Sequence, residues 1–204
     1  MNNHTARKMF SLACLGDSIT HGFGVRHAWC QIARQQLQKQ FPALDLRLIN
    51  AGVDGDTLLG GRKRLRRDVL RYRPQLVTVA FGLNDLYLGA PPAEFRHNLL
   101  AVVEALLAIE SLPVLLTTIQ PAAPAMFLGG GSPETYNAII RQTADRQGVL
   151  LLDIWRSWPV LEDPMGYFLV DGVHPNETGH AFMGMLAADV LAPVIQKFTG
   201  GAAE

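Results

Sequence analysis

The sequence predicts an α/β fold, a three-layer α/β/α sandwich around a central five-stranded parallel sheet. Two observations carry this expectation. Short apolar runs alternate along the chain with longer stretches of helical period, the pattern of parallel strands joined by crossover helices. The apolar runs are too short for helices and are bounded by Gly, Pro or polar residues, which makes strands of them.

In chain order the strands are expected at 9–15, 46–50, 76–81, 114–119 and 149–153. Helical periodicity fills the intervals at about 28–40, 57–72, 93–109 and 133–147, and a last helix is expected over 176–197. Pro42, Pro74, Pro113 and Gly148 fall where helices should stop. With 204 residues, 49% of them hydrophobic, the chain suits one domain over 1–204 with a core from about 10 to 197. No repeat, linker or charge block divides it, and the low-complexity stretch 121–133 (PAAPAMFLGGGSP) reads as a loop.

Charge excludes some partners. Lys plus Arg equals Asp plus Glu at 18 each, so no net field draws the chain toward nucleic acid, an anionic membrane or a polyanionic substrate. No uninterrupted apolar stretch approaches the roughly 18 to 20 residues of a membrane span. The apolar run 9–15 after the basic start ends in Gly-Asp-Ser rather than a small-residue cleavage site, so no leader and a cytoplasmic location are expected. Cys14 and Cys30 read as reduced, buried thiols rather than a disulfide. Nothing in the residues sets an oligomeric state.

Open α/β sheets bind ligands beyond the carboxyl ends of their strands, and residues able to do chemistry fall there. After the first strand comes Gly16-Asp17-Ser18-Ile19, a serine at a strand-to-helix turn behind a glycine that permits a sharp bend. By itself it reads as an ordinary turn serine or helix cap. After the second strand, Asn50-Ala51-Gly52-Val53-Asp54-Gly55-Asp56-Thr57 opens a helix with free N–H groups, and the Gly55 amide could serve an oxyanion. The plain alternative is a βα loop capped by Asp56 or Thr57. After the third strand, Gly82-Leu83-Asn84-Asp85 brings an amide side chain to the same edge, a neutral donor of the kind that lines oxyanion holes.

Near the end, Asp171-Gly172-Val173-His174-Pro175-Asn176 sets a carboxylate three residues before a histidine. In a tight turn Asp171 accepts from one ring nitrogen while the other faces a nucleophile. Pro175 helps by holding His174 extended ahead of the next helix. The competing reading makes Asp171, His174 and His180 metal ligands, although no cysteine or further His-rich spacing joins them.

These four pieces, in this order, resemble the sequence blocks of the SGNH (GDSL) hydrolases from about Phe10 to Val194. A chance Gly-Asp-Ser occurs in about one chain in twenty of this size, whereas all four blocks in order are far rarer. The wording N-A-G-x-x-G-D-T, with G-D-S-I-T and D-G-V-H-P-N, is most similar to the bacterial branch of thioesterases, arylesterases and lysophospholipases. Those relatives are often exported, while this chain shows no leader. The missing G-x-S-x-G elbow argues against an α/β-hydrolase fold as the home of a serine triad.

The resemblance implies an SGNH, flavodoxin-like fold and a serine esterase. Ser18 would be the nucleophile, His174 the base and Asp171 its orienting carboxylate, with an oxyanion hole from the Ser18 and Gly55 amides and the Asn84 side chain. It implies no metal and no cofactor. The expected substrates are small-molecule carboxylic esters or thioesters of short-to-medium acyl chain, since no large lid domain is present. Competing readings are a carbohydrate acetylesterase of the same fold and a catalytically silent binding module, the second opposed by the intact Ser18, Asn84, Asp171 and His174.

Other residues receive plainer expectations. Asp17 is read as structural, because an extended backbone would point its carboxylate away from Ser18, and Asp85 as a local hydrogen-bonding residue. His4, His21, His27, His97 and His180 are expected at the surface or in ordinary polar contacts. Arg62-Lys63-Arg64-Leu65-Arg66-Arg67, with Arg71 and Arg73, reads as the solvated face of a helix whose Leu65, Val69 and Leu70 face the core. The sharper alternative is a docking site for an anionic carrier such as a CoA phosphate. Leu86, Tyr87 and Leu88, and a flap over 121–133 carrying Met126, Phe127 and Leu128, are candidates for an acyl pocket.

Overall fold

The structure, a computed structural model, describes residues 7–122, 131–158 and 164–200. Five parallel strands form one sheet: β1 (Lys8–Gly16), β2 (Leu44–Gly52), β3 (Leu76–Ala80), β4 (Leu112–Leu116) and β5 (Leu150–Leu152), in the order β2-β1-β3-β4-β5. The register runs Leu12 against Leu48 and Leu76, and Gly16 against Gly52 and Ala80, so the first three strands end level. The chain winds from β1 outward to β2, then crosses back to β3. That reversal is the switch point where open α/β sheets leave a crevice.

Both faces of the sheet are covered, which is why its strands read as nearly continuous apolar runs. Alternation along β1 divides the core: Phe10, Leu12 and Cys14 join one buried cluster, Ala13 and Leu15 the other. The first cluster is closed by α2 (Trp29–Gln40) and α8 (Glu177–Gly200), through Trp29, Ala33, Leu37, Met183 and Leu191. The second is closed by α3 (Leu58–Asp68), α5 (Pro92–Leu107) and α6 (Pro133–Gln147), through Leu58, Leu65, Phe95, Val102 and Ile140.

The helix expected over 57–72 stops early. At Val69 (φ −129°, ψ −64°) α3 gives way to a 3-10 turn over Leu70–Tyr72, and Arg73 takes a left-handed conformation before Pro74. Three short helices escaped the periodic reading, because four or five residues show no period: α1 (Ser18–His21), α4 (Leu83–Tyr87) and α7 (Ile154–Ser157). Two of them carry site residues. Within α8, the segment Glu177–Thr199 is long and apolar enough to cross a membrane by length and composition, yet its buried side is the packing surface for α2. Cys14 and Cys30 are both buried free thiols.

Candidate active site

Ser18 is the first residue of α1, directly beyond β1. Asp17 caps that helix, its Oδ1 accepting from the Ile19 N–H at 3.0 Å, so its carboxylate is committed to the helix end. Gly16 is required by close approach: a Cβ there would lie 2.2 Å from Thr20 Oγ1 and 2.9 Å from the Ala80 carbonyl. The turn that carries Ser18 is thereby pressed against the neighbouring strand end.

The D-x-x-H turn arrives from the other end of the chain. His174 Nε2 stands 3.0 Å from Ser18 Oγ, and Nδ1 stands 2.7 Å from Asp171 Oδ2. The other Asp171 oxygen accepts from the Val173 and His174 N–H groups at 2.8 and 2.9 Å. Partial burial alone would raise Asp171, but these N–H bonds and the imidazole hold its carboxyl below the usual range. Phe23, which nothing in the sequence marked out, lays its ring against His174 with centroids 4.7 Å apart. It follows α1 by two residues and stays about half exposed.

Asn84 lies on α4, and a cleft lined by Asp17, Ser18, Ile19, Leu83, Asn84, Tyr87, Val173 and His174 brings it together with the serine and the imidazole. Its Nδ2 donates to the Asp56 carbonyl at 3.0 Å and lies 3.5 Å from Asp17 Oδ2. Gly55, at φ +71°, is not part of that lining but is tied to it through Asp56. Among the described residues neither the Ser18 nor the Gly55 N–H has an acceptor, so both are free to donate to a ligand. Tyr87 lines the cleft as expected, Leu86 packs into the core and Leu88 is exposed. Met126, Phe127 and Leu128 lie outside the described residues.

Three carboxylates cluster here, Asp17 in the cleft wall and Asp85 and Asp56 close by. Burial pushes Asp17 up to about 7, against the Ile19 N–H and with help from Asp85 and Asp56. Burial likewise pushes Asp85 up to about 6, opposed by the Leu58 N–H that it accepts at 3.1 Å. Asp85 bonds locally, as expected, to the Gly82 and Asp85 N–H groups, and it also clamps the start of α3, where Thr57 is the side-chain cap. Arg64 departs from the solvated face expected of its basic run: it is buried and bonded to Asp56 Oδ2 at 2.7 Å. The helical reading held a signal for this, since Arg64 lies on the same face as Leu58, Gly61 and Leu65.

His180 takes the second of its two expected places, a polar contact, and makes it in the interior. Its Nδ1 accepts from the Trp29 N–H at 3.0 Å, and burial pushes its pKa down to about 4. That commitment takes it away from a metal set with Asp171 and His174. Among the described residues no group of three His, Cys, Asp or Glu side chains is placed to hold a metal ion.

The arrangement supplies a hydroxyl with a base against it, a carboxylate holding that base, and unused N–H donors alongside. The chain is 28% identical to the esterase TesA of Pseudomonas aeruginosa, over 81% of this chain and 79% of that protein. It is 27% identical to the Escherichia coli thioesterase 1/protease 1/lysophospholipase L1, over 91% and 85%. A solved lipase/acylhydrolase from Enterococcus faecalis shares the fold with a TM-score of 0.78 at 23% identity, covering 91% of this chain and 97% of that one. Residues 14–182 match one family, and with three of its sequence blocks at the ends of β1, β2 and β3 and the fourth just ahead of α8, the chain belongs to the GDSL-like lipase/acylhydrolase family.

Proposed function

We propose that the chain hydrolyses carboxylic esters and thioesters of short-to-medium acyl chain through an acyl-enzyme on Ser18. The observation that carries this is the continuous contact Ser18 Oγ to His174 Nε2 (3.0 Å) and His174 Nδ1 to Asp171 (2.7 Å), three side chains that span most of the sequence. Ser18 Oγ attacks the acyl carbon as His174 Nε2 takes its proton, and the carbonyl oxygen becomes an oxyanion. The Ser18 and Gly55 N–H groups and the Asn84 amide are the donors for that charge. Collapse breaks the C–O or C–S bond, and His174 returns the proton to the leaving group. Water then attacks the acyl-enzyme, gives a proton to His174, and the acid leaves as Ser18 recovers its hydrogen.

Asp171 fixes the ring tautomer and stabilises the imidazolium formed in each half. The ester chemistry is that of the family; the residue roles, the thioester branch and the chain length form the proposal. The test is a panel of p-nitrophenyl esters, acyl-CoAs and acetylated sugars, with fluorophosphonate labelling of the protein. Labelling at Ser18 with turnover of several short acyl chains supports the reading. Release of acetate from sugars alone would replace it with a carbohydrate acetylesterase, and absence of labelling would replace it with a silent binding module.

A further inference from the structure

Within Arg62-Lys63-Arg64-Leu65-Arg66-Arg67 one cation differs from the rest. Lys63, Arg66 and Arg67 are exposed, whereas the Arg64 side chain is only 9% exposed. Burying a guanidinium is tolerated when its donors are met with good geometry. Those of Arg64 are met by three separate chain segments. Nε donates to Asp56 Oδ2 at 2.7 Å, Nη2 to the Gly16 carbonyl at 2.8 Å, and Nη1 to the Ala51 carbonyl at 2.7 Å. A longer contact of 3.4 Å reaches Asp68 one turn on. Gly16 ends β1 two residues before Ser18, Ala51 lies at the end of β2, and Asp56 follows Gly55.

Asp56 passes the constraint onward. Its carboxylate holds Arg64 while its backbone carbonyl takes one proton of the Asn84 amide, so one residue joins α3 to both Gly55 and Asn84. The first turn of α3 leaves room for this. A Cβ on Gly60 would lie 1.7 Å from Asp56 Oδ1, so only glycine there lets the carboxylate fold back over the helix.

We propose that Arg64 is a positioning residue for the oxyanion hole: acting through Asp56, it fixes the Asn84 amide and the Gly55 turn relative to the strand end that carries Ser18. The proposal rests on the oxyanion reading of Asn84 and Gly55. Donors stabilise a developing charge best when they are fixed before it forms, and a displacement of about 1 Å can cost about a hundredfold in rate. Lysine in place of Arg64 keeps the charge, but its single ammonium cannot span the three acceptors with the guanidinium's planar geometry.

The test measures kcat and KM on a p-nitrophenyl ester, with thermal melting alongside, for Arg64→Lys, Gly60→Ala, Asn84→Ala and the two doubles with Asn84→Ala. Gly60→Ala displaces the Asp56 carboxylate without touching the arginine, so it keeps the proposal testable if Arg64→Lys fails to fold. Each of the two should lower kcat about ten- to a hundredfold at nearly constant KM. On the Asn84→Ala background each should cost only a few-fold more, because its main target is already gone. Unchanged kcat in a folded Arg64→Lys or Gly60→Ala overturns the proposal, as do losses that multiply in full with Asn84→Ala. If Asn84→Ala itself leaves kcat unchanged, the oxyanion reading falls and takes the proposal with it. A slow Asn84→Ala beside a wild-type Arg64→Lys sinks the role of Arg64 alone.

Discussion

Asp171 grips His174 twice: one carboxylate oxygen faces the ring at Nδ1, 2.7 Å away, and the other accepts the same residue's backbone N–H at 2.9 Å. Ring and main chain are oriented by one group. Asp171→Asn keeps the shape but presents an amide that holds the ring in the wrong tautomer and cannot stabilise an imidazolium. Its kcat is expected to fall by roughly 10³ to 10⁴ with the melting temperature nearly unchanged. Steady-state kinetics with a melting curve checks this, and a loss below tenfold would remove Asp171 from the mechanism.

Ser18→Ala removes the hydroxyl that faces His174 Nε2 and little else, since α1 is capped by the Asp17 side chain rather than by the serine. Turnover should drop by several powers of ten while the fold persists, and fluorophosphonate labelling should vanish. Retention of more than about a tenth of the activity would reassign the nucleophile.

A strong chelator should leave activity unchanged. The metal reading needs a third ligand beside Asp171 and His174, and the nominated His180 is turned to the Trp29 N–H inside the α2–α8 interface. Loss of activity with EDTA and recovery with zinc would make ligands of Asp171 and His174.

The strands and the long helices were legible in the sequence because burial on both faces writes continuous apolar runs, and α3, α5 and α6 write a helical period between them. Ser18, Asn84, Asp171 and His174 were legible as blocks, since each follows a strand or precedes a helix at a fixed spacing. Their convergence was legible only through the family resemblance and the rule of the sheet's carboxyl edge, because Ser18 and His174 are separated by 156 positions. Arg64 was hidden by its neighbours: a basic run reads as a wet face, and composition does not say which of its members turns inward. The long-range partner of Asp85 was hidden by distance along the chain, Leu58 lying 27 residues upstream. Phe23 was invisible because a lone aromatic in a loop carries no period.

His180 predicts an acid limb in stability. Burial depresses its pKa to about 4, opposed by Glu177 and aided by His174. Between the ordinary imidazole value of about 6.5 and that depressed value the unfolded chain binds the extra proton, so stability is full above that range and falls as the pH drops through it. The loss is on the order of 3 kcal/mol. His180→Gln can still accept from Trp29 but does not titrate, so its stability should decline less between pH 6.5 and 4. Denaturant unfolding of both proteins across that interval decides it, and parallel curves would show that His180 does not titrate as described.

Asp17 predicts the opposite limb. Its carboxyl is raised to about 7 by burial, with the nearby charges of Asp85 and Asp56 adding to it and the Ile19 N–H opposing. The folded chain therefore holds a proton that the unfolded chain has lost above about 4, the ordinary aspartate range. Stability tied to this group is greatest at low pH and is lost as pH rises toward 7, after which it levels off. Asp17→Asn removes the titration while its side-chain oxygen can still accept the Ile19 N–H, so the α1 cap survives. The variant should gain stability over the wild type steadily from pH 4 to 7 and hold that gain above it. Unfolding by denaturant at pH 5 and pH 8 measures the difference. A gap of the same size at both values would mean that Asp17 is ionised in the folded protein throughout, and that the carboxylates clustered at the cleft are solvated better than their burial implies.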